Sequence, residues 1–171
     1  MKSKKAIGNF ITKKAGTQNI ICQQSTALSG TTKQLRIIKC LKINLNDKRQ
    51  GFLISGICST LSARLATVGA LWESNKAMCF FPKEPTKYPP EFFVGILNSE
   101  AYNKIIKILN HTNSIQIRDI KKLPFFDFDS KDIKQIAKIA KKIIEQKKNN
   151  LDYDFSVQQK QINQIVNKYI L

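Results

Sequence analysis

Asp119, Asp127 and Asp129, followed by Lys131, gather three carboxylates and an amine in a short stretch. Metal-dependent nucleases use such groups to hold magnesium and activate water. The same residues have a structural use, because Asp129-Ser130 directly precede a strongly amphipathic segment, where a carboxylate can cap a helix. A second set suits reading rather than cutting. Gln23, Gln24, Ser25, Arg36, Lys39, Arg49, Arg64 and Lys76 stand near expected strand ends. Arg and Lys match guanine edges and phosphates, whereas Gln matches adenine. Lys13 and Lys14 lie in a basic leading segment that would serve as a linker or as a strap along a phosphate backbone.

Other chemistry finds less support. His111 has no Ser, Cys or acidic partner at a meaningful spacing for a general base. Cys22, Cys40, Cys58 and Cys79 form no Cys-x-x-Cys pair, so reduced, mostly buried thiols are expected rather than a zinc site. None of the seven glycines forms the Gly-x-Gly turn that lets backbone approach a nucleotide cofactor. Gly51 and Gly56 have the spacing that begins a phosphate-binding loop, but Ile57 and Cys58 replace its Lys and Ser/Thr. Tyr88-Pro89-Pro90-Glu91 lacks both the amide and the trailing aromatic with which adenine methyltransferases grip a flipped base. Its prolines suit the first turn of a helix.

Lys and Arg number 29 against 12 Asp and Glu, for a net charge of +17 in 171 residues. Such an excess favours a polyanionic partner, although an AT-rich coding bias also raises lysine content. The apolar runs fall short of the ~20 residues that span a bilayer. No apolar core with a small-residue cleavage site follows the first lysines, so the cytoplasm is the expected compartment.

These residues need a framework. Strands are expected at residues 19–26, 33–44, 51–57 and 76–81, with 60–74 unassigned and Trp72 read as core. One helix, irregular near Asn98, should run from Pro90 to Leu109, followed by a short strand around Ile115 and Ile117 that closes at Leu123-Pro124. Ile133, Ile136, Ala137, Ala140, Ile143 and Ile144 stripe one face of a long helix with lysines opposite. Ser156 and Gln159 have capping-box spacing before a last helix carrying Ile162, Ile165, Val166 and Tyr169. The expected fold is therefore α+β, a small mixed sheet with helices and a C-terminal helical pair. Its divisions are a basic segment at 1–18, an α/β unit at 19–126 and the helical pair at 127–171.

In their order these segments resemble the C-terminal specificity domain of TaqI-like adenine-N6 DNA methyltransferases and fused type IIG restriction-modification enzymes. Residues 19–26 and 33–44 are similar to its first strands. Residues 88–99 resemble its helix ending in Leu-Asn-Ser, and 115–124 its segment with a Leu-Pro exit. Residues 161–171 are similar to its closing helix, with Ile170 where the family often has Gly. The resemblance implies a target-recognition domain that closes on the major groove of double-stranded DNA. A separate methyltransferase catalytic domain or subunit, outside this chain, would bind S-adenosylmethionine, with magnesium as a further candidate there. Two other readings stand beside this one: the magnesium-dependent nuclease, and a helical module that docks a partner subunit through residues 133–144.

Overall fold

The structure is a computed structural model that describes residues 22–24, 35, 37–40, 49–66, 68 and 76–170. Five strands form its sheet: β1 (Cys22–Gln24), β2 (Ile37–Cys40), β3 (Phe52–Ser55), β4 (Ala63–Leu65) and β5 (Ala77–Pro82). They lie in the order β1-β2-β5-β3-β4, and every pairing is antiparallel. The expected α+β class is observed, but the sheet is antiparallel where a mixture was expected. Among the described residues the helices follow the strands in sequence instead of alternating with them, as suits antiparallel pairing. Cys22, Cys40 and Cys79 share one rung of the ladder, far apart though they are in sequence.

Five helices follow among the described residues: α1 (Pro90–Leu97), α2 (Glu100–Leu109), α3 (Ile117–Lys122), α4 (Ser130–Asn149) and α5 (Ser156–Asn167). Pro90 opens α1, as the double proline predicts. This helix is buried all round, since it packs on β3 and β4 on one side and on α4 and α5 on the other. Gly95 permits the close crossing with α4: a Cβ there would lie 2.6 Å from Cγ2 of the buried Ile136. Phe52 on the sheet stacks on Phe93 at 5.3 Å between ring centroids, and Tyr88, Phe125 and Phe128 extend the aromatic cluster.

The single helix expected from residue 90 to 109 is two. Ser99, fully buried with extended backbone, donates its hydroxyl to the Ile96 carbonyl at 2.6 Å and accepts the Tyr102 N–H at 3.4 Å. The serine ends one helix and caps the next, so the irregularity expected near Asn98 is a full break through which the apolar periodicity continues.

The strand expected at Ile115 and Ile117 is also corrected. Only an isolated antiparallel bridge joins Ile57 to Ser114, after which the chain turns into α3. The Asp119 carboxylate accepts the Gln116 N–H at 2.9 Å and the Asn110 amide at 2.7 Å, which closes the start of that helix. Ile117 and Ile120 then pack at helical spacing.

Helices α4 and α5 begin where expected, but their caps differ. The Asp129 side chain makes no capping hydrogen bond. Its N–H donates instead to the Tyr169 hydroxyl at 3.1 Å, which itself donates to Asp132 at 2.7 Å. Phe155, not Ser156, stands at the cap of α5, because Asp154 accepts both the N–H and the hydroxyl of Ser156. Released from that duty, the Gln159 side chain donates to the Asn98 carbonyl and to Asn163.

One apolar core runs through these layers. It joins Phe52, Ile54 and Phe80 of the sheet to Phe92, Phe93 and Leu97 of α1 and on to Ile133, Ile136, Ile162 and Val166. The stripe on α4 is thus occupied within the chain: Ile133, Ile136 and Ala140 are buried there, which removes them as a docking surface for another subunit.

Candidate nucleic-acid interface

Alternation along the strands sorts the sheet into two faces. Phe52, Ile54, Met78 and Phe80 belong to the core shared with the helices. Leu53, Ala66, Cys79 and Phe81 form a second, smaller cluster on the opposite face. Two predicted readers stand beside that second cluster. Arg64 on β4 is exposed and pairs in register with Leu53. Arg49, also exposed, places its guanidinium 4.4 Å from the centroid of the Phe81 ring. Stacking of this kind fixes the plane of a guanidinium. Gly51 directly precedes β3, and a glycine is required there because a Cβ would meet the Phe80 carbonyl oxygen at 2.7 Å.

The position of Arg64 is fixed from the helical side. The Asn98 carboxamide accepts the Ala63 N–H and donates to the Ala63 carbonyl, each at 2.8 Å. Asn103 accepts the Leu61 N–H at 2.5 Å and donates to the Ser99 carbonyl at 3.0 Å. A short strand with three residues gains little from its ladder alone, so these side chains supply much of its registration. Neither asparagine was among the residues expected to matter for DNA reading. The signal for Asn98 was present only as the Leu97-Asn98-Ser99 string, which does not say what the amide touches, and Asn103 carried none.

The remaining candidates are dispersed. Gln24 occupies the rung of Ile38 and Phe81. Gln23 and Lys39 share a rung with Phe80 and Phe52. Lys76 is exposed at the start of β5, and its carbonyl accepts the Gly56 N–H at 2.7 Å. Lys13, Lys14, Ser25, Arg36 and Trp72 lie outside the described residues.

The carboxylates considered for magnesium do not converge. Among the described residues no group of three His, Cys, Asp or Glu side chains could hold a metal ion. Asp119 is buried and spends its carboxylate on Asn110 and Gln116, with Arg118 at 3.9 Å. His111 is exposed just past the end of α2. Cys58 is half-buried, and its thiol donates to the Ser55 carbonyl at 3.4 Å. Among the described residues no helix is long and apolar enough to cross a membrane.

Burial perturbs two tyrosines. Desolvation pushes the Tyr102 hydroxyl well above the usual phenol range, where it donates to the Pro124 carbonyl at 2.9 Å. Tyr169 is raised as well, first by desolvation, against the Asp129 N–H, and further by the neighbouring Asp132. Tyr102 thus ties α2 to the segment after α3, and Tyr169 ties the residues after α5 to the start of α4.

No protein-family model and no curated protein matches this chain.

Proposed function

We propose that this chain is the sequence-reading module of a restriction-modification adenine-N6 DNA methyltransferase, of type IIG or a related kind. It holds duplex DNA for a catalytic domain or subunit that binds S-adenosylmethionine, flips adenine and transfers the methyl group. The observation that carries the reading is the pair of exposed arginines on the sheet face opposite the helices, with Arg49 stacked on Phe81 and Arg64 held in register by Asn98. A net charge of +17 supplies the attraction to phosphate, and the order of segments supplies the resemblance. Arg64 and Arg49 contact base edges, while Lys76 and the lysines of the leading segment neutralise phosphates. The enzyme works in the cytoplasm, where its DNA substrate is found.

Selection from a randomised duplex pool at moderate salt tests the reading. One or a few related sequences should be enriched, and Arg64→Gln should relax the preference at one position. A pool that emerges unenriched, both with the chain alone and with a methyltransferase partner present, overturns it.

A further inference from the structure

We infer that the exposed face of α4, together with the groove between α4 and α5, is a second DNA-contacting surface that grips the phosphate backbone of the duplex. The inference rests on the proposed reading and adds to it a surface remote in sequence from the strands. Lys131, Lys134, Lys138, Lys141 and Lys142 recur at spacings of three and four along α4, so they share one face, and all five are exposed. None forms an ion pair among the described residues. Glu145 is the one exposed acid of the helix, since Asp132 is buried and held by Tyr169.

A merely solvated face would be expected to mix the two signs, because like charges at these spacings weaken a helix. Here the repulsion is left standing. From Lys131 to Lys142 the helix advances roughly 17 Å, about the rise of five phosphates along one strand of a duplex. Beside this strip lies a groove of about 660 Å³, lined by Gln135, Lys138, Ile139, Gln161, Gln164 and Lys168 among others. Its walls combine amide and ammonium donors, the groups that bind phosphate oxygens. Lys168 is tied to Asp132 at 3.8 Å, so it acts more as a fixed donor than as a mobile charge. The opposite face of α4 is buried against α1, which holds the strip rigidly relative to the sheet.

The test measures affinity of the full chain for a duplex against salt concentration. The variant Lys134→Gln/Lys138→Gln/Lys141→Gln/Lys142→Gln keeps helix propensity and should keep its circular dichroism. Its plot of log affinity against log salt should be shallower by about 3 to 4, at roughly 0.9 per phosphate released, for every sequence tested. Sequence preference should be unchanged. By contrast, Arg49→Gln/Arg64→Gln should lose preference and keep most of the slope. An unchanged slope and affinity in the folded lysine variant overturns this inference and leaves the reader intact. Failure of the unaltered chain to bind any duplex overturns both. Binding by this face to vesicles containing phosphatidylserine, or to single-stranded RNA, in place of the duplex overturns the assignment of DNA as its partner.

Discussion

Replacing Asn98 with alanine removes two hydrogen bonds at 2.8 Å, one to the N–H and one to the carbonyl of Ala63. Ala63 is 6% exposed, so its backbone groups lose partners where water reaches them poorly. A buried polar group left without its partner costs about 1–3 kcal/mol. Asn98 itself is half-buried, which admits some solvent once its amide is gone. For the two groups together we therefore expect Asn98→Ala to destabilise by about 2–3 kcal/mol, near the low end of that range for each. In a chain of this size that lowers the melting temperature by roughly 4–12 °C, at about 2–4 °C per kcal/mol. Urea unfolding followed by circular dichroism measures the loss, and hydrogen exchange at the Ala63 amide locates it. Asn98→Asp sharpens the test: its carboxylate keeps the acceptor for the N–H but faces the Ala63 carbonyl without a proton. Protonation in acid restores a donor, so this variant should recover stability as the pH falls while the alanine variant does not. A loss within about 0.5 kcal/mol, the range of an ordinary surface substitution, would refute the claim that this amide fixes β4.

Gly95→Val should cost about 1–3 kcal/mol through overpacking against Ile136, read as a shifted urea midpoint; a neutral result would mean that α1 and α4 are not in close contact. Tyr102 and Tyr169 both have folded-state values raised above 10.0. Their contribution is therefore complete below that pH and is lost as the pH rises through the folded values. Alkaline titration followed by phenolate absorbance should show both ionising together with unfolding, and Tyr102→Phe should remove part of that pH dependence. Asp154 behaves oppositely, because the N–H and hydroxyl of Ser156 lower its value below 3.8. Its capping of α5 should persist above that pH and fade as acid protonates it, a change visible as faster exchange of the Ser156 amide.

The parts of the fold legible in sequence are those with strong period or punctuation. Phe52 to Ser55 and Ala77 to Pro82 are compact apolar runs, and the stripe on α4 repeats over many turns. β4 escaped notice because Ala63-Arg64-Leu65 is too short to display a period, and side chains from the α1–α2 junction and from α2 hold it and its approach. The break at Ser99 and the helix at Ile117 depend on where a hydroxyl and a carboxylate find partners, which periodicity does not encode. The site was legible to the same extent. Arg49 and Arg64 could be named from type and position, but the ring beneath one and the amide behind the other are tertiary facts.

The asparagine at the helix junction has one more consequence. Among the described residues β4 is the outermost strand on its side of the sheet, and an uncovered strand there would offer its N–H and carbonyl as a template for a strand from another molecule. Asn98 occupies both groups of Ala63, and Asn103 takes the N–H of Leu61. A side-chain amide mimics the neighbouring strand without being one, so it satisfies the edge and cannot propagate the sheet. The same residue that registers Arg64 thus acts as a stopper against polymerisation, and losing it should leave the protein more prone to self-association as well as less stable.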